Sequence, residues 1–120
     1  MPIGWGLEVD MGWTKPESSG DVPPPRSGHT FTITSSSHVE AEDESGPRKA
    51  VLFGGNDSRL PAGPTNDLFE MDLDSFEWKK TENTGSQPTP RAKHTTTCVQ
   101  PNVLCVFGGL GEKSRLNDCW

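Results

Sequence analysis

PPPRSGHT at residues 23–30 is written again as PTPRAKHT at residues 88–95. Pro25, Arg26 and His29 thus return as Pro90, Arg91 and His94, 65 positions later. Trp13 and Gly20 return as Trp78 and Gly85 at the same spacing. Past the histidines the spacing shortens. Phe53-Gly54-Gly55 answers to Phe107-Gly108-Gly109, 54 residues on, and Asn66-Asp67 answers to Asn117-Asp118, 51 residues on. The differences place 11 extra residues between His29 and Phe53, and 3 between Gly55 and Asp67. Without them the repeat is 51 residues long. Self-similarity at such a period marks a supersecondary unit that stacks against copies of itself.

Working outward, each copy carries Pro-x-Arg-x-x-His, an apolar run closed by Phe-Gly-Gly, an Asn-Asp pair and a tryptophan. The first reads AVLFGGN (50–56) and NDLFEMDLDSFEW (66–78); the second reads VLCVFGGL (103–110) and NDCW (117–120). Four ordered elements, recurring twice over roughly residues 13–120, resemble the kelch-repeat family. The resemblance implies an all-β fold: an incomplete kelch β-propeller with one full four-stranded blade, a truncated second blade and an N-terminal outer strand. On that reading, residues 1–28 hold a lone outer strand at 11–15, of the kind that closes the last blade of a ring. Residues 29–82 form the first blade, with the insertion 35–48 as a projecting loop, and residues 83–120 begin a second blade that stops inside its third strand. Propellers have ~4–8 blades, so a ring of ~50-residue units needs ~200–400 residues. The remaining blades are expected from sequence beyond Trp120, whether the 120 residues are a fragment, a shortened gene product or one piece of an assembly.

Mean composition points elsewhere. Leu, Ile, Val and Phe total 22 of 120 residues and the net charge is −6, a balance that leans towards disorder. The apolar residues are nevertheless bunched into short runs bounded by Gly, Pro, Asn and Ser, as in many-stranded β-proteins. No segment shows a helical period, no apolar run approaches the ~18 residues of a membrane span, and residues 1–10 lack the regions of a signal peptide. Three cysteines, an odd number, suggest reduced thiols in the cytoplasm or nucleus. An acidic chain with pI about 4.9 lacks the basic face that nucleic acid requires.

The strands follow from the motif. In the first unit strand A starts at His29 and alternates, with Thr30, Thr32 and Thr34 on one face and Phe31 and Ile33 on the other. Strand B is Lys49–Phe53, buried on both faces and ended by Gly54-Gly55. Strand C is Asp67–Leu73, and after a turn at Asp74-Ser75 strand D is Phe76–Lys80, with Trp78 outermost. In the second unit A is 94–99 and B is 103–108, joined at Pro101-Asn102. A two-residue turn there sets Cys98 opposite Cys105 as packed free thiols, and a slip of one residue separates them. Strand B of this unit is expected to leave an open edge.

Residues that recur at equivalent places read as scaffold, since a binding site breaks pseudo-symmetry. His29, His94, Gly54, Gly55, Gly108, Gly109 and Trp78 fall in this class. So do Asn66, Asp67, Asn117 and Asp118, expected to tie down the B–C loops through side-chain bonds to backbone. Arg26 and Arg91 lie before strand A, open to either partner contact or an intrablade role. The resemblance implies that the D–A and B–C loops share the partner-binding rim. That rim would add Arg59, Leu60, Lys93, Lys113 and Arg115, a basic spot suited to an acidic peptide on another protein. Solvated loop charges are the plainer reading of the same residues. No catalytic set is visible: the chain has no tyrosine, which kelch copper oxidases use as a ligand, and no spaced Glu-Asp-His set. His and Cys spacing suggests no zinc site, and no cofactor is expected. The expected function is a protein-interaction module, with a structural component of a cytoskeletal or ciliary assembly as the alternative.

Overall fold

A computed structural model describes residues 12–34, 48–59, 63–82 and 85–120. Its strands are β1 (Ser19–Gly20), β2 (Arg26–Ser27), β3 (Thr30–Ile33), β4 (Lys49–Phe53), β5 (Asn56–Asp57), β6 (Leu68–Asp72), β7 (Glu77–Thr81), β8 (Thr95–Gln100), β9 (Val103–Leu110) and β10 (Arg115–Cys119). No helix occurs among these residues. The fold is that of a partial propeller.

The first blade is antiparallel in the order β3-β4-β6-β7, the A-B-C-D sequence of the repeat. Its centre is β4, where Ala50, Val51, Leu52 and Phe53 are all buried. A strand with neighbours on both edges and cover on both faces must be apolar throughout. The C–D turn is fixed by Asp72, whose Oδ1 accepts the backbone N–H groups of Asp74 (2.7 Å) and Ser75 (3.1 Å). Those bonds hold its carboxyl below the ordinary range. Phe76 completes the turn at φ 59°, which delays β7 to Glu77. Trp78 is half-buried and stacks at 35° on Phe31, with centroids 5.7 Å apart.

The second blade is β8-β9-β10. Two corrections arise here. Strand C is five residues long and pairs with β9 at Arg115, Leu116 and Cys119, so the open edge belongs to β10 and not to Val103–Gly108. The turn at Pro101-Asn102 is tight and Gln100 faces Val103 as expected, but an irregularity at Val99 then puts Cys98 opposite Leu104 and Thr97 opposite Cys105. One unpaired residue on one strand moves every later partner by one.

The N-terminal expectation also changes. Residues 12–15 form no strand and Trp13 is fully exposed; residue 11 lies outside the described residues. A strand needs a partner to hydrogen-bond, and 12–15 have none among the described residues. Instead Ser19 and Gly20 add in parallel to β7, pairing with Glu77 and Trp78. Trp78 is therefore not on the outermost strand. His29 precedes β3 and is exposed. Most of the insertion, 35–47, lies outside the described residues, as does Leu60.

The blades meet through the threonine face of β3. Thr30 Oγ1 lies 2.7 Å from Thr96 Oγ1, Thr32 Oγ1 donates to the Thr96 carbonyl at 3.4 Å, and the Cys98 thiol donates to the Thr34 carbonyl at 3.2 Å. Phe53 on this interface is 4% exposed, whereas its repeat-mate Phe107, on the far face of the second blade, is 51% exposed.

Candidate partner-binding rim

Backbone bonds gather the D–A and B–C loops of both units at one end of the sheets. In the first unit β2 pairs with β5, the stretch before strand A against the stretch after strand B. In the second, Ala92 and Leu110 exchange both backbone bonds at 2.9 and 2.7 Å. The units are cross-linked as well: Lys93 N–H donates to Gly28 O (2.7 Å), Gly55 N–H to Arg91 O (2.9 Å) and Arg91 N–H to Thr65 O (3.1 Å). At the opposite end Leu73 N–H donates to Arg48 O and Asn102 N–H to Thr34 O. The glycine pairs make this packing feasible. Gly55 at φ 92° and Gly109 at φ 95° lie so close to Ser27 O and Ala92 O that a Cβ would stand 2.9 and 2.7 Å from those oxygens.

Arg91 is wholly buried. Its Nη1 and Nη2 donate to Asp118 Oδ1 and Oδ2 at 2.7 and 2.9 Å, its Nη1 to Gly108 O at 3.1 Å, and its Nε to Thr89 O at 3.1 Å. The fork from Arg91, with the Trp120 indole N–H second, holds the Asp118 carboxyl far below the ordinary range. Arg26 repeats the arrangement more loosely: Nη1 donates to Gly54 O at 3.0 Å, Nε to Pro24 O at 3.2 Å, and Nη2 is 3.6 Å from Asp67. Asp67 also lies 3.8 Å from Lys80 Nζ. Neither side chain is exposed: the Arg91 guanidinium is fully bonded within its own blade, whereas Arg26 Nη2 is buried without a hydrogen-bond partner. Asn66 bonds to backbone, but in the next unit, with Nδ2 donating to Pro88 O at 3.3 Å.

His94 is buried between the blades. Its Nε2 lies 3.0 Å from Thr30 Oγ1 and its ring meets Phe53 edge-on, while Nδ1 has no partner. Burial is the main cause that depresses its pKa below 6.5; the Phe53 backbone opposes it, and the nearby Arg91 and His29 charges add smaller depressions.

Lys93, Lys113 and Arg115 are exposed on the rim, and among the described residues none forms an ion pair. Lys93 adopts φ 60° beside Gly28. Arg59 is partly engaged: its N–H donates to Asp57 Oδ1 at 2.8 Å and its Nη2 to Oδ2 at 3.4 Å. The first of these bonds does most to lower the Asp57 pKa. Arg59 also lines a cleft of about 430 Å³ with Asp21, Asp67, Phe69, Lys80 and Glu82. Sequence reading missed this cleft, because it depends on the docking of β1 against β7. Among the described residues no group of three or more His, Cys, Asp or Glu is placed to hold a metal ion, and no helix is long and apolar enough to cross a membrane.

Residues 7–120 match the family model described as the KLHDC2/KLHL20/DRC7 Kelch-repeats domain. The chain is 36% identical over 114 residues to the dynein alpha chain of the flagellar outer arm of Chlamydomonas reinhardtii, covering 90% of this chain and 2% of that protein. It is 34% identical over 115 residues to host cell factor 2 of Homo sapiens, covering 91% and 13%. It is 31% identical over 128 residues to kelch domain-containing protein 2 of Bos taurus, covering 99% and 27%. The chain thus spans less than a third of the length of each of these relatives.

Proposed function

The chain belongs to the kelch-repeat family, and from that premise we propose that it docks an acidic peptide segment of another protein on the rim formed by its D–A and B–C loops. Kelch-repeat domains are generally protein-interaction modules without catalysis. The observation that carries the finer reading is the placement of Lys93, Lys113 and Arg115. Lys93 and Lys113 lie on loops and Arg115 opens β10, all exposed at one end of the blades and with no carboxylate partner among the described residues. Arg59 stands on the same set of loops, half-committed to Asp57. Guanidinium and ammonium groups left free in this way are suited to charge-assisted bonds with carboxylates. An odd number of cysteines, three, supports a reducing compartment, cytoplasm or nucleus.

The test is a titration of fluorescent peptides of equal length carrying four glutamates, four glutamines or four lysines. Binding confined to the glutamate peptide, and lost in Lys113→Glu/Arg115→Glu, supports the rim. Equal binding of all three peptides, or an unaffected variant, overturns it. A second reading, a structural component of a ciliary or cytoskeletal assembly, draws on the 36% identity to the flagellar dynein chain. Co-sedimentation with microtubules that survives the rim substitutions would favour it.

A further inference from the structure

Cys105 on β9 and Cys119 on β10 lie on one face of the second blade. Cys119 stands opposite Phe107, two residues along from Cys105, so strand alternation turns both side chains the same way. Their sulfurs are 2.8 Å apart. The repeat gives the comparison. Cys105 occupies the place of Val51, and Cys119 the place of Leu68, so a purely apolar cross-strand pair in the first blade is a dithiol in the second. A shared metal does not fit: two thiolates on one tetrahedral zinc at ~2.3 Å each would sit about 3.8 Å apart. Cys98 cannot join them. Its side chain is on the opposite face, bonded to Thr34 O and Gln100 O.

We propose that Cys105 and Cys119 are a modification site, closing to an intrablade disulfide when the protein meets a low-molecular-weight disulfide such as oxidised glutathione. Cys119 is exposed and Cys105 half-buried, which assigns the order of events. The Cys119 thiolate attacks one sulfur of the oxidant, forming a mixed disulfide and expelling one glutathione thiolate. The Cys105 thiolate then attacks the Cys119 sulfur and expels the second glutathione. Two protein thiols lose two protons and two electrons, and one oxidant disulfide becomes two thiols. The hydrogen bond with Cys105 is the first cause of a raised Cys119 pKa, followed by burial and the neighbouring charges. The first attack is therefore slow near neutral pH and accelerates as pH rises, because the thiolate is the nucleophile. The bond would staple β10 to β9 beside the terminal Asp118 clasp.

The experiment treats the full chain with oxidised glutathione, quenches in acid, alkylates free thiols and counts adducts by intact mass, with Cys98→Ser, Cys105→Ser and Cys119→Ser in parallel. The expected result is one alkylated thiol in the oxidised wild type, none in Cys98→Ser, and no internal bond in the other two variants. A reducing agent should restore all adducts. Three alkylated thiols after oxidation, a stable glutathione adduct at Cys119, or an internal bond that requires Cys98 would overturn the proposal.

Discussion

Arg91 and Asp118 face one another as a two-bond fork, 2.7 and 2.9 Å, with the guanidinium wholly enclosed and the carboxylate partly open to water. The pair joins the segment before strand A to the far end of β10. It also explains why two residues of a repeated motif are charged at all in a thin, glycine-rich core.

Replacing Arg91 should therefore cost more than replacing its repeat-mate. Arg91→Ala is expected to lower stability by about 1–3 kcal/mol, the scale for leaving a buried acceptor, here Gly108 O, without its donor. Arg91→Lys should recover little, because one ammonium cannot serve the fork and the two carbonyls together. Arg26→Lys should cost less, since its approach to Asp67 is already 3.6 Å. Urea midpoints of the three variants check this; equal losses for Arg91→Lys and Arg26→Lys would show that the fork geometry is irrelevant.

Acid should weaken the junction between blades before it weakens the fork. Folding lowers the His94 pKa from 6.5, chiefly by burial. The unfolded chain thus takes up that proton first. Stability from this group is complete above about pH 6.5 and declines as pH falls from there towards the folded value. Asp118 behaves as a depressed carboxylate: its contribution is complete above the ordinary value of 3.8 and declines as pH falls below it. His94→Gln should flatten the slope of stability between pH 6.5 and 5. An unchanged slope would place the titrating group elsewhere.

Glycine substitutions should separate backbone strain from collision. Gly109→Ala and Gly85→Ala both force a side chain to positive φ, 95° and 87°. That costs about 1–2 kcal/mol at each. A Cβ on Gly85 meets nothing, while one on Gly109 meets Ala92 O at 2.7 Å and the His94 Cβ at 2.9 Å. Gly109→Ala should be clearly the worse of the two in a thermal melt, and parity would mean the loop yields freely.

The threonine bridge should behave as a coupled pair. Thr30→Val and Thr96→Val each remove one hydroxyl from the 2.7 Å contact. A double-mutant cycle is expected to return about 1 kcal/mol of interaction. A value near zero would mean water satisfies both hydroxyls equally well.

Strand B and the A-B-C-D order were legible in the sequence, since an unbroken AVLF run closed by two glycines has few other uses. The threonine face was legible from alternation alone. The bulge at Val99 was not: nothing in Thr-Thr-Thr-Cys-Val-Gln says which residue will be left unpaired, and the cysteine partners changed with it. Burial of Arg26 and Arg91 was half-legible, because recurrence argues for scaffold but charge argues for surface. The parallel addition of Ser19-Gly20 had one available signal, a glycine repeated at position 85. Its meaning depends on how closely Gly20 approaches the Trp78 carbonyl, which spacing does not reveal.

The backbone of Arg91 gives and receives hydrogen bonds with the loop of the first blade, while its side chain clasps the second. A cut at the boundary of the sequence repeat would leave Gly55 N–H and Thr65 O in the first unit without their acceptor and donor. It would also free the loop that positions the arginine. The 51-residue period is thus a unit of inheritance and not a unit of folding. Melting should be cooperative across the boundary, and blades exchanged between such proteins must carry the neighbouring loop with them.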